Sequence, residues 1–253
     1  MAPVYADHPF PLVQTPNFKL NKDGKTPDLF DDLASLMGVI HNAIICGLNS
    51  IYLQAPYIKP ADERTFCTYM LKWHEFLCLH HYNEETDFFP SIESLAGEKG
   101  LMDLNVQQHH AFHDGLDAFS AFVRDCQSGK EKYDGRRIVE LIDSFGPVLV
   151  EHLAGELPTL QGLRKYGDKM NTLPKVFDDE GEKTMKALGL SGMYFFFANQ
   201  DLHYEEDLWA SFPPAPGIVK FLCRNVVWWF NTDLYKFGSC DRHGSIKPLY
   251  AAE

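Results

Sequence analysis

No Cys-x-x-Cys pair, no cluster of Lys and Arg, and no apolar run near the roughly 20 residues needed to cross a bilayer occurs in this 253-residue chain. Each absence removes a class of function. The six cysteines (Cys46, Cys67, Cys78, Cys126, Cys223, Cys240) are widely spread, which predicts free thiols in a reducing compartment, by default the cytoplasm. With 23 Lys and Arg against 35 Asp and Glu, the formal charge of −12 repels phosphate backbones, so no nucleic-acid partner is expected. The longest apolar stretches, Val226 to Phe230 and Tyr194 to Ala198, are too short to span, so no membrane partner is expected either. Residues 1–16 lack both a basic n-region and a continuous apolar h-region, and so do not read as a secretory signal. What remains, 45% hydrophobic and 23% charged, is an ordinary globular composition.

Helical periodicity dominates the first two thirds of the chain. Residues 1–25 show none, and read as an extended N-terminal arm. At Thr26-Pro27 a capping residue precedes a proline suited to a first helical turn, and apolar residues recur at Leu29, Leu33, Met37, Ile40, Ile44, Leu48 and Ile51 until Pro56. A second helix begins near Pro60, carries Phe66, Met70, Trp73, Leu77 and Phe88, and is expected to end at Pro90. A third spans about 101–127, with Val106, Leu116 and Val123 inward and Gly129 just beyond it. The fourth, about 136–162, repeats Ile138, Ile142, Phe145, Leu149 and Leu160, with Pro147 and Pro158 expected to kink or shorten it. Four long helices with modest connections predict an all-α, antiparallel up-down bundle over residues 26–163. Beyond it, 16 of the chain's 34 aromatic residues crowd into a C-terminal extension, 164–253, which should bury itself against the bundle. Helical patterns survive there near Lys175 to Leu188 and Ile218 to Phe230.

Eight of the eleven histidines lie within the four helices. His41 falls between Met37 and Ile44 on the inward stripe. His81 and Glu85 continue the line from Leu77 to Phe88; His109 and His113 align with Val106 and Leu116; His152 and Glu156 lie between Leu149 and Leu160. Residues four apart share a helix face one turn apart, so each pair presents two ligand atoms to a common centre. Buried carboxylates facing one another in an apolar bundle are costly, and two cations bridged by them remove that cost. Five imidazoles and two carboxylates suit iron, manganese or zinc, not calcium or magnesium. Chance placement gives roughly 0.65 His-x-x-x-Glu pairs in such a chain; three occur. The third, His80 to Glu84, lies about 100° around the helix from the second and reads as a solvated or outer copy. A lone inward His41 is by itself more often a hydrogen-bonded core residue, and is a ligand only in company with the other pairs. His74, two turns from His81, reads as structural, and His110 remains an alternative to His109.

The order His41, His81 to Glu85, His109 to His113 and His152 to Glu156 resembles the hemerythrin-like, or HHE cation-binding, proteins over about residues 28–162. The resemblance implies a non-haem di-iron centre with a bridging oxo or hydroxo group. By position, His109, His113 and His152 would bind one iron, His41 and His81 the other, and Glu85 and Glu156 would bridge. Oxygen-carrying hemerythrins place an aspartate five residues after the last histidine; Glu156 follows by four, as in the broader HHE group. The ligand count leaves one iron an open position for O₂, NO, peroxide or a substrate. Ferritin-like carboxylate proteins need Glu-x-x-His on two helices, which the stripes lack.

Two functions follow from this reading. One is an oxidoreductase or oxygenase acting on a small organic substrate held between bundle and extension, which calls for a substrate-sized cavity lined by both. The other is a carrier, store or sensor of O₂, NO or iron, which calls for a sealed apolar pocket. Tyr82, Trp73 and Cys78 near His81 are possible electron or proton donors, though packing suits each of them better. His203 with Asp207 reads as acidic surface.

Overall fold

The computed structural model describes residues 2–252, the side chains at positions 190 and 191 apart. The fold is all-α. Residues 1–25 do not form a wholly extended arm, because Thr15 accepts a hydrogen bond from the Phe18 N–H and starts a short helix, α1 (Pro16–Lys22). The rest of the arm is tied along the next helix. Asn49 Nδ2 donates to the carbonyls of Ala6 and Phe10, and Asn42 exchanges two hydrogen bonds with the Val13 backbone.

Asp28, not Thr26, caps the first long helix, α2 (Leu29–Gln54). Its carboxylate accepts from the Phe30 and Asp31 N–H groups, and Asp31 returns a bond to the Asp28 N–H. Residues 29–57 are long and apolar enough to cross a membrane by composition, but 78% of that apolar window is buried in the bundle. The second helix, α3 (Glu63–Asn83), does not stop at Pro90. A π-turn over Glu84–Phe88 carries it into α4 (Phe89–Ala96), closed by Gly97 with φ 72°. Pro90 has no N–H and its ring would collide with the carbonyl four residues back in a regular helix; the wider turn relieves that contact. The third, α5 (Asp103–Ser128), ends in left-handed Gly129 (φ 79°), and the fourth, α6 (Gly135–Gly162), is capped by Asp134. Neither proline ends α6, and Pro147 lies on its exposed face.

Helices α2, α3, α5 and α6 form the bundle, neighbours in that cyclic order. Trp73 is wholly buried at its centre, donating from Nε1 to the Ile44 carbonyl at 3.0 Å and meeting the Phe119 and Phe145 rings. After a 3₁₀ stretch, Leu163–Met170, the extension adds α7 (Leu173–Asn199), which breaks phase at Gly189. There follow α8 (Gly217–Leu222), a π-turn (Cys223–Val227), α9 (Trp228–Phe230) and α10 (Thr232–Tyr235). Helix α7 packs on α2 and α3 and drives Tyr194, Phe195 and Phe196 into the same apolar core as Trp73 and Phe76. Gly47 makes the approach possible: a Cβ there would stand 2.4 Å from the Phe195 ring and 2.9 Å from Trp73.

Candidate metal centre

Seven side chains from the four bundle helices meet beside the π-turn: His41 from α2, His80 and His81 from the end of α3, Glu84 from the π-turn, His109 from α5, and His152 and Glu156 from α6. All seven are buried. Ligand atoms of His81, Glu84, His109 and His152 lie within 4.8 Å of one another, as do those of His41, His80 and Glu84. Glu84 belongs to both groups. Glu156 Oε2 stands 3.4 Å from His41 Nε2 on the far side.

The partners behind the histidines fix their tautomers. His41 Nδ1–H donates to the Leu153 carbonyl at 2.7 Å, His109 Nδ1–H to Glu85 Oε1 at 2.6 Å, and His152 Nδ1–H to Gln108 Oε1 at 3.1 Å. Each neutral ring therefore turns an Nε2 lone pair toward the centre. His109 Nε2 and His152 Nε2 face one another at 3.0 Å, both as lone pairs, and His41 Nε2 faces His80 Nε2 at 3.1 Å. Two lone pairs at that distance repel unless a proton or a cation lies between them. A proton is disfavoured: burial holds the His152 imidazole down to about 2, lowers His109, and pulls His80 and His81 well below the ordinary value. A cation is favoured, because two imidazole nitrogens bound at about 2.1 Å and at right angles sit about 3 Å apart.

The carboxylates give the same answer. Neither oxygen of Glu84 or Glu156 has a hydrogen-bond partner, nor has His81 Nε2. Glu84 Oε1 lies 3.0 Å from His80 Nε2, yet without hydrogen-bond geometry. Burial, then the nearby Glu156, raises the Glu84 carboxyl well above the ordinary range. Orphaned buried carboxylates of this kind are expensive unless cations bind them. The residues present fit two metal ions sharing Glu84, one held by His81, His109 and His152, the other by His41 and His80.

Residues 41–157 match the family described as the hemerythrin HHE cation-binding domain. This segment is a hemerythrin-like domain. Over 247 residues the chain is also 28% identical to a protein of Cryptosporiopsis sp. (strain 8999) named "Dimeric xanthone biosynthesis cluster protein R11", covering 95% of this chain and 90% of that one. No solved structure matches the chain.

Against the expected ligand set, His41, His81, His109, His152 and Glu156 converge in the hemerythrin-like domain, and His110 is exposed. Two residues do not join them. The His113 side chain is 62% exposed and pairs with Asp117, because the buried stripe of α5 runs Asn105, His109, Phe112, Leu116, Phe119, Val123 and leaves 113 about 100° away from 112. The Glu85 side chain is 36% exposed and supports His109 from outside the cluster. His80 and Glu84, read as an outer copy, stand in their places. Helix geometry explains the exchange: at 100° per residue Glu84 lies about 20° from Leu77 and about 40° from Phe88 on the buried stripe, whereas Glu85 lies about 60° to 80° off it, so the stripe selects Glu84 and not Glu85. The sequence does carry a signal for this, the seven-residue spacing from Leu77 to Glu84. Of the other candidates, Tyr82 and Cys78 are exposed, and Trp73 is engaged with Ile44. His74 contacts Cys78 Sγ at 3.5 Å, apart from the centre. His203 is bound to Asp207 at the surface.

Beside the centre lies a cavity of about 810 Å³ between the bundle and the extension. Its bundle wall includes Met37, Phe76, His80 and Glu84; its other wall includes Phe177, Met185, Phe196 and Pro214.

Proposed function

We propose that the protein is a non-haem di-iron oxidoreductase of the oxygenase type, acting on a flat, largely apolar organic substrate. The observation that carries this is the cavity. At about 810 Å³ it is of the size that takes a drug-sized molecule, and two residues of the centre, His80 and Glu84, belong to its wall. A carrier or sensor of diatomic gases needs no such space.

Two ferrous ions, where held by these seven side chains, would supply two electrons for dioxygen reduction, and an external two-electron reductant would restore them between turnovers. The protein's own residues do the rest. His41 and His80 would give one ion fewer imidazoles than its neighbour, and His80 and Glu84 of that group line the cavity. Leu153, Glu85 and Gln108 hold the rings of His41, His109 and His152 by their Nδ1 protons and keep the ligand atoms aimed. Phe, Met and Pro side chains give the cavity its mainly apolar lining. The Cryptosporiopsis relative is named for a xanthone cluster, and a xanthone is a flat three-ring aromatic ketone, a shape suited to walls built from phenylalanines and prolines. Six free cysteines favour a reducing compartment, and we place the protein in the cytoplasm.

A cavity-filling variant separates the two functions. Gly181 lines the cavity, and a Cβ there would meet nothing within 4 Å. In Gly181→Phe, iron content and dioxygen binding should persist while dioxygen consumption with a hydroxyxanthone falls at least about tenfold. Unchanged consumption in a variant that still folds and binds iron would remove the substrate role of the cavity.

A further inference from the structure

Among the described residues, six of the thirteen exposed large hydrophobic side chains lie on the run from α8 to α9, residues 217–230. Ile218, Phe221, Leu222, Val226, Trp229 and Phe230 all face solvent, Trp229 at 70% and Phe230 at 85% exposure. The underside is anchored: Cys223 is wholly buried and packs with Met193 and Phe197. The outer face is thus an addition to a helix that already has its core contacts. Exposed apolar patches of this extent on a soluble domain mark an interaction site.

The polar groups around the patch say what kind. A protein partner is set in register by a polar rim with free hydrogen-bonding groups. Here those groups are turned inward. Lys220 Nζ donates to the Ser211 carbonyl, Arg224 lies over the Phe197 ring at 5.4 Å, and Arg242 donates to Asn225 Oδ1 at 2.6 Å while lying over Trp228. Residues 208–232 contain no Asp or Glu, in a chain with 35 of them. A surface with apolar bulk, an aromatic end and no acid to dehydrate fits a lipid interface, which asks for depth and not for register. A helix lying in the interface plane needs no spanning segment.

We propose that residues 217–230 seat the protein on a bilayer, with Trp229 and Phe230 in the boundary between headgroups and acyl chains. The net charge of −12 opposes an anionic surface, so the lipid is a neutral one. Pro216 and Val219, on or beside this same helix, line the cavity, so docking sets the cavity wall against the phase in which flat apolar compounds dissolve. The docking itself stands whether or not the metal centre is catalytic.

The test uses the full-length, metal-loaded protein with neutral phosphatidylcholine vesicles. It should sediment with them, and tryptophan emission should shift to the blue, since Trp229 is 70% exposed while Trp73 and Trp209 are buried. The double variant Trp229→Ser, Phe230→Ser should partition about tenfold less or weaker still, with unchanged helical content and metal. Leu104→Ser, at another exposed apolar position, should partition as the parent does. Failure of the parent to bind vesicles overturns the proposal. So does self-association that the double variant abolishes without any vesicle binding, which would give the face to a second copy of the chain.

Discussion

At the scale of single residues, neighbouring side chains on one helix take different parts. His80 and His81 both reach the centre because they close α3 where it meets two other helices. Glu84 and Glu85 part company: one is buried with both oxygens unpartnered, the other holds a histidine from behind at 2.6 Å. Alanine variants should report this in metal content. Glu84→Ala removes the carboxylate shared by the two ligand groups and should lose most of both ions. Glu85→Ala removes an outer partner of His109 and should weaken metal affinity about 10- to 100-fold. His113→Ala should keep the metal of the parent. Equal retention in Glu84→Ala and His113→Ala, measured by elemental analysis after dialysis, would return the centre to the ligand set first read from spacing.

Elements show why that spacing was nearly enough. Four helices, their order and five of the seven converging residues were legible because burial periodicity repeats over many turns, as from Ile138 to Leu160 on α6. The helix starts were less so: Thr26-Pro27 has the right residues, but Asp28 wins because it and Asp31 satisfy one another's backbone groups reciprocally. The ligands of α3 were misassigned because the two His-x-x-x-Glu pairs were treated as alternatives, whereas the stripe through Leu77 and Phe88 runs between them and takes both histidines with Glu84. That the aromatic extension docks on the bundle was legible from its composition, but the seat of α7 was not, since it depends on a missing side chain at Gly47 meeting an aromatic ring 148 positions away. Adding that side chain should therefore separate the extension from the bundle. Gly47→Ala should cost about 1–3 kcal/mol from the clash with Phe195 and Trp73. Combining it with Phe195→Leu should cost less than the sum of the two single changes, because the smaller side chain opens the space. Strict additivity in a denaturation cycle would count against a direct contact.

For the whole molecule, the interior is a compromise that only metal resolves, and its dependence on pH has a definite sign. Without metal, the depressed His80, His81, His109 and His152 bind fewer protons folded than unfolded at any pH between their folded values and about 6.5, so stability falls as pH drops through that window. The Glu84 carboxyl acts oppositely: raised above its ordinary 4.5, it keeps a proton in the folded state, and its contribution is lost as pH climbs from 4.5 through the raised value. The metal-free protein is thus squeezed from both sides. Metal relieves both, since it needs neutral imidazoles, which burial already supplies, and ionised carboxylates, so the proton it displaces in the folded chain is the one held by Glu84. The stability gained from metal should accordingly be largest at neutral to mildly alkaline pH and fade below about pH 5. Thermal melts with and without a chelator should differ by about 10 °C or more at pH 7.5, the equivalent of several kcal/mol in a chain of this size, and should converge in acid. A difference that stays constant from pH 5 to pH 8 would mean that the bound ions are not held by the Glu84 carboxylate.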